Sequence, residues 1–116
     1  MNGEYAEAGL DSARKGAVLE LTLNRPERLN ALNRRLLRAL DRVIDEAADD
    51  PGIRCVVLTG GGEKAFSAGA DVKEWMDPGD HQGVRQFCSL GQEIFRRIEL
   101  CSKPVIAAIN GGACGG

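Results

Sequence analysis

Between Ala17 and Leu58 the apolar residues change their spacing twice, and that double change restricts the chain to one class of fold. Residues 17–23 read A-V-L-E-L-T-L, where Leu19, Leu21 and Leu23 alternate with Glu20 and Thr22, the period of a strand with one buried face. Asn24-Arg25-Pro26 ends that strand, because proline has no N–H to continue a ladder. Residues 33–48 place Leu36, Leu37, Leu40, Val43, Ile44 and Ala47 on one helical face, with Arg38, Arg42, Asp45 and Asp49 opposite. Asn33 or Asn30 is a candidate cap for this helix, and Asp50-Pro51-Gly52 stops it. Residues 53–58, I-R-C-V-V-L, are then a short β-branched run of the kind that forms a buried, parallel strand.

The remaining segments extend the alternation. A weaker strand is expected near Tyr5 to Leu10, paired in a hairpin across a turn from Asp11 to Gly16. Thr59 to about Gln82 shows no periodicity, and irregular stretches of that length are often functional. Residues 83–100 place Val84, Phe87, Cys88, Gly91, Ile94, Phe95 and Ile98 at helical spacing. Lys103-Pro104 separates this helix from a strand at Val105 to Ile109, expected in the interior of a sheet. Strands and helices in this order indicate α/β layers with crossover connections, in a single domain over residues 1–116.

Composition removes several classes of partner. A chain of 116 residues buries about two-thirds of its unfolded surface, enough for a core. With 43% hydrophobic and 28% charged residues and a net charge of -2, it has no basic footprint for nucleic acid or an anionic membrane. Met1-Asn2-Gly3-Glu4 lacks the basic and apolar regions of a signal peptide, and no apolar stretch approaches a membrane span. The four cysteines, Cys55, Cys88, Cys101 and Cys114, form no C-x-x-C pair and have mostly apolar neighbours. Buried or half-buried free thiols, no metal site and a cytoplasmic location are the expectations.

Glycine is the outlier, with 15 residues against four prolines, clustered at Gly60 to Gly62 and Gly111 to Gly116. Both clusters follow an apolar strand, where ligands of α/β sheets tend to sit and where backbone N–H groups can face negative charge. A dinucleotide pyrophosphate is one candidate, since Gly60, Gly62 and Ala65 match G-x-G-x-x-A. That motif needs a helix straight after the turn and then a strand ending in an acidic residue. Here F-S-A-G-A-D-V-K-E-W-M-D-P-G-D follows, with no strand before the acidic residues. A Walker loop fails because Glu63-Lys64-Ala65 lacks the flanking glycine and hydroxyl residue. The third candidate is an oxyanion developing on a carbonyl carbon, held by two backbone N–H groups from separate turns. Against all three stands the plain reading that these are tight chain reversals.

Taken together, the residues carry a resemblance. Asn24-Arg25-Pro26 with Asn30-Ala31-Leu32, then V-V-L-T-G, K-A-F-S-A-G-A-D-V-K-E and K-P-V-I-A-A-I-N-G-G-A-C-G-G, resemble the enoyl-CoA hydratase/isomerase (crotonase) superfamily from about Val18 to Gly116. The resemblance implies an α/β superhelix of β-β-α units whose strands form two roughly perpendicular sheets. It also implies an acyl-coenzyme A thioester as substrate, with no cofactor beyond the coenzyme A that the substrate carries. The implied oxyanion hole is the backbone N–H of Ala70 and that of Gly116. By the same matching, Arg28 and Leu29 touch coenzyme A near its adenosine half, and Ala68, Ala70, Asp71, Val72 and Lys73 line the adenine and pantetheine path. Arg28 has the alternative of a solvated surface arginine. Lys73 and Glu74 have that of local capping. Trp75 and Met76 either wall the acyl pocket or pack in the core. His81, in D-P-G-D-H-Q, has no evident partner and is read as exposed.

Hydratases of the superfamily use two glutamates beyond the glycine turn, and such acid–base help contributes roughly 10²–10⁴-fold. This sequence reaches neither glutamate. The helices that build the family's trimers or hexamers are also absent, which implies a chain truncated before its C-terminal helices. The expected activity is addition of water to a trans-2-enoyl-CoA. The alternatives are a non-catalytic module that binds coenzyme A or associates with itself and, more remotely, an NAD-binding domain.

Overall fold

The computed structural model describes residues 3–75 and 79–116. After a short helix α1 (Gly3–Glu7), strands β1 (Leu10–Lys15) and β2 (Val18–Leu23) lead through a 3-10 turn at Pro26–Arg28 into helix α2 (Arg34–Asp49). Strand β3 (Cys55–Gly60), strand β4 (Ala65–Ser67) and a single turn of helix α3 (Val72–Trp75) follow. Helix α4 (His81–Glu99), strand β5 (Val105–Ala108) and strand β6 (Gly112–Ala113) complete the described chain. One sheet has the order β1-β2-β3-β5, and a second pairs β4 with β6. The α/β class read from the sequence is the class observed.

The double change of period has the expected outcome. Leu19, Leu21 and Leu23 turn inward with at most 2% exposure and meet Leu36, Leu37, Leu40, Val43 and Ala47 of α2. Full burial of each such side chain stabilises by about 1.5–3 kcal/mol. Because α2 and then α4 cross over the sheet, β2 pairs parallel with β3, and β3 parallel with β5. Asn33 caps α2 by accepting from the Leu36 N–H at 2.9 Å. Asn30, the other candidate cap, has a different task described below. At the far end of α2 the Lys103 ammonium donates to the Ala47 carbonyl, among those a helix terminus leaves open, and to that of Asp50 just beyond.

Three expectations are corrected. Residues near Tyr5 form α1, not a strand, and the hairpin strand is Leu10–Lys15. L-D-S-A-R-K shows no apolar alternation because only Leu10 is buried and the strand is an edge. What holds it there is β2, whose backbone needs a partner on this side, in a register from Leu10↔Leu23 to Lys15↔Val18. The turn is therefore Gly16-Ala17, with Gly16 at φ 59.

The segment from Thr59 to Gln82 contains β4 and α3. A three-residue strand is too short to show a period, and β4 exists through its pairing with β6. Among the described residues β5 pairs on one side only, with β3, and leaves Ile106 52% exposed and Ile109 beside it 62% exposed, which does not contradict the expected interior position. Cys55 and Cys101 are half-buried as expected, but Cys88 and Cys114 are exposed. Cys88 occupies the solvent face of α4, and Cys114 stands on an open turn.

No helix among the described residues is long and apolar enough to cross a membrane.

Tyr5 is the one tyrosine of the sequence, and its hydroxyl donates to Glu46 at 2.6 Å. Burial first, and then this carboxylate, push the phenol up to about 12. A raised folded pKa means that the neutral phenol is the form the fold favours. Its contribution to stability is complete below the unfolded value of about 10 and is lost as pH climbs toward the folded one. Unfolding free energy measured across that window should fall with pH, and Tyr5→Phe should flatten that part of the profile. An unchanged slope in the variant would show that the phenol does not titrate there.

Candidate functional site

Three turns meet at the carboxyl ends of β2, β3 and β5. The first follows β2. Pro26 begins the 3-10 turn, and Leu29 and Asn30 then both take positive φ, 53 and 55. Such conformations cost about 1–3 kcal/mol each for residues other than glycine and concentrate at functional sites. Asn30 is fully buried. Its carboxamide accepts from the Arg25 N–H at 2.8 Å and donates to the Gly61 carbonyl at 2.9 Å and the Ala65 carbonyl at 3.0 Å. One side chain thus ties the first turn to the second and to β4.

The second turn runs through β4 to Ala70. The Ala68 N–H donates to the Leu29 carbonyl at 2.9 Å. Gly69 adopts φ 96, which directs its carbonyl to the Leu32 N–H at 2.8 Å, while the Asp71 N–H returns to the Leu32 carbonyl at 2.9 Å. In a trans peptide the N–H points opposite to the preceding C=O. With the Gly69 carbonyl held by Leu32, the Ala70 N–H faces the other way, and it donates to no group among the described residues.

The third turn carries β6 and ends at Gly116. Asn110 anchors it, accepting from the Gly60 N–H at 2.9 Å and donating to the Ala65 carbonyl at 3.3 Å. The Cys114 N–H donates to the Ser67 carbonyl at 3.0 Å. Gly115 has φ 68, and the Gly116 N–H has no acceptor among the described residues.

Glycine stands where the second and third turns come closest. A Cβ on Gly69 would lie 2.9 Å from the Cys114 carbonyl oxygen, and one on Gly115 would lie 3.3 Å from the Gly69 Cα. A Cβ on Gly116 would be driven 2.4 Å from the Phe95 ring. Gly116 also borders an apolar cavity of about 290 Å³ lined by Leu32, Leu58, Phe66, Phe95 and Ile98. The turns of Ala70 and Gly116, separate in sequence, are therefore adjacent in space. The turn at Gly60 to Gly62 is not followed by the helix that a pyrophosphate loop requires; β4 stands there instead.

The other residues singled out in the sequence divide into an exposed strip and a buried anchor. Ala68, Val72 and Lys73 are exposed. Leu29 is 44% exposed and borders a cavity of about 240 Å³ with Pro26, Gly61, Gly62 and Lys64. Asp71 differs from them. Its carboxylate is buried and meets the Arg25 guanidinium at 3.1 Å, with Arg28 at 3.9 Å and the Lys73 N–H at 3.2 Å. Arg28 is thus neither fully solvated nor fully committed. Glu74 does not cap its own helix. It accepts from the Arg34 N–H at 3.0 Å and pairs with the Arg34 guanidinium at 3.0 Å, serving the start of α2. His81 is exposed at the start of α4. Met76 and the side chain of Trp75 lie outside the described residues.

Sequence reading passed over Arg25, Asn30, Ser67 and Asn110 as site residues. A signal was available for two of them, since an asparagine at the end of a strand or beside a proline turn is a common holder of backbone groups. A larger cavity, about 490 Å³ between α1 and α2, is lined by Arg34, Arg35, Arg38 and Arg42. Three of these already pair with Glu74, Glu7 and Glu4, and the cavity is separate from the glycine turns.

The profile of the enoyl-CoA hydratase/isomerase family matches residues 13–116. The chain belongs to the enoyl-CoA hydratase/isomerase family. It is 50% identical over 103 residues to the short-chain-enoyl-CoA hydratase of Clostridium acetobutylicum, covering 89% of this chain and 39% of that protein. It is 42% identical to the crotonyl-CoA hydratase of Syntrophomonas wolfei, covering 97% of this chain and 42% of the relative. The enoyl-CoA hydratase of Bacillus anthracis superposes with a TM-score of 0.84 at 36% identity, over 89% of this chain and 40% of that one. The architecture is accordingly the crotonase fold. The chain spans about two-fifths of the length of these family members.

If close approach of the two turns organises this site, Gly69→Ala should cost more stability than Gly16→Ala. Both positions have positive φ, which costs a non-glycine residue about 1–2 kcal/mol. Only Gly69 has a backbone oxygen in the way; nothing lies within 4 Å of a Cβ on Gly16. Denaturant unfolding of the two variants gives the comparison, and equal losses would contradict the contact.

Proposed function

We propose that the protein carrying this sequence adds water to a trans-2-enoyl thioester of coenzyme A, with the thioester oxygen held by the Ala70 and Gly116 N–H groups. The observation that supports this is the meeting of two glycine turns with both of these donors unpaired. Water oxygen bonds to C3, the C2–C3 π pair moves to C1–C2, and the carbonyl pair moves onto oxygen. That oxygen becomes the enolate, and two fixed amides stabilise it as its charge grows. Each is worth about 2.7–4 kcal/mol of barrier, and neither must reorganise. Protonation at C2 then restores the carbonyl.

The proton transfers need another group. Asp71 and Glu74, the carboxylates nearest in sequence to Ala70, are taken up by Arg25 and Arg34. The acid and base are therefore assigned to residues beyond Gly116, as in hydratases of the family. Leu29, Ala68, Val72 and Lys73, with Arg28 at their edge, form the strip proposed for coenzyme A. Asp71 serves that strip through its backbone and its anchor. Trp75 and Met76 are proposed for the acyl wall. No further cofactor is invoked.

A second reading applies to residues 1–116 taken alone: a non-catalytic module that binds coenzyme A or associates with itself. The edge of β5, paired on one side only among the described residues and with Ile106 and the adjoining Ile109 exposed, favours it.

Crotonyl-coenzyme A tests both. Loss of the conjugated enoyl absorbance, with the 3-hydroxyacyl thioester as product, is expected from the whole protein. Little or no turnover is expected from residues 1–116 alone. Isomerised thioester without hydration would replace the proposed reaction, and rapid hydration by residues 1–116 would refute placing the acid and base beyond Gly116.

A further inference from the structure

We infer that Ser67 is a positioning residue that sets the two oxyanion donors in register, an inference that rests on the hole proposed above. Ser67 is 6% exposed at the end of β4. Its hydroxyl donates to the Asn30 carbonyl at 2.9 Å and accepts from the Gly69 N–H at 3.1 Å. The direction of this relay is forced, since a carbonyl can only accept and an amide N–H can only donate. The Ser67 carbonyl, on the same residue, accepts from the Cys114 N–H at 3.0 Å. One residue therefore reaches the peptide before Gly69 with its side chain and the peptide before Cys114 with its backbone.

The consequence is geometric. The plane of the Ala68–Gly69 peptide is set by the Ser67 hydroxyl, and that of the Gly69–Ala70 peptide by the Leu32 N–H. Gly69, at φ 96, has no side chain to resist rotation between those planes. Without the hydroxyl the Ala68–Gly69 plane loses its bond. The Gly69–Ala70 plane that carries the Ala70 N–H keeps its Leu32 bond but loses its support on the Gly69 side, and the Ala70 N–H is less firmly aimed. Its partner turn stays docked through the Ser67 carbonyl, which substitution does not remove. The hydroxyl is not a nucleophile, because it is buried and its proton is engaged by a backbone carbonyl. Its effect is on the precision of the hole, so it acts on kcat more than on binding.

The test compares the whole protein with its Ser67→Ala and Ser67→Thr variants, using crotonyl-coenzyme A for kinetics. A second probe, the 4-dimethylaminocinnamoyl thioester of coenzyme A, absorbs at longer wavelength when its carbonyl is polarised. Ser67→Ala should lower kcat about five- to tenfold, the worth of one well-placed hydrogen bond, with KM within about twofold. The red shift of the bound probe should shrink in parallel, and Ser67→Thr should restore both. Should Ser67→Ala fail to fold, Ser67→Cys, of similar size and a weaker donor, should give the same losses in smaller measure. Unchanged kcat and red shift, or a fall in thermal stability alone, would overturn the role of Ser67. Absence of any red shift in the unmodified protein would instead overturn the hole itself.

Discussion

The carboxamide of Asn30 is the constraint on which the rest of this structure depends. It is buried, it sits at positive φ, and it closes three hydrogen bonds to backbone groups of separate segments. Breaking any of them would leave a buried polar group unsatisfied, at about 1–3 kcal/mol. The turn after β2, the glycine turn after β3 and the short strand β4 can therefore move only together. Asn110 performs a related task from the far side, holding Gly60 and the same Ala65 carbonyl. Two asparagines thus fix β4 from both flanks, although three residues of strand would not hold themselves in place.

From β4 outward the site is built almost wholly of backbone. Glycine stands at the points of contact because the turns of Ala70 and Gly116 approach within van der Waals distance. A side chain at Gly69 would separate them. Stiffness comes from neighbours: the Leu32 bonds on one edge, the Ser67 relay on the other, and beneath them the pair of Asp71 with Arg25. That buried pair is a positioning device more than a source of net stability, since desolvation cancels much of its attraction. It also engages Asp71, the one buried carboxylate among the described residues.

The elements that carry the core and those that carry the site are distinct. Leucines of β2 and the apolar face of α2 form a core that tolerates conservative exchange of aliphatic groups. The turns rest on that core but are specified by polar contacts that tolerate little. The edge of β5 belongs to neither. Among the described residues it pairs on one side only and carries exposed isoleucine beside the turn that ends at Gly116.

Period and punctuation, both local properties, are what the sequence by itself determined. The alternating leucines of β2, the stripe of α2, the β-branched run of β3 and the glycine clusters are each legible within a dozen residues. They suffice for the α/β class, and the motifs suffice for the family. What only tertiary structure decided depends on groups far apart in the chain. β1 is a strand because β2 needs a partner, not because L-D-S-A-R-K has any preference. β4 and β6 exist through each other across 45 intervening positions or so, a pairing that no local pattern encodes. Asn30 reads as a candidate helix cap until Gly61 and Ala65 are seen beside it, and the pairing of Asp71 with Arg25 shows in no local pattern. A hydrogen-bond donor's orientation is set by whatever holds the adjoining peptide plane. For Ala70 that is the backbone of Leu32, a constraint that arises only once the chain has folded.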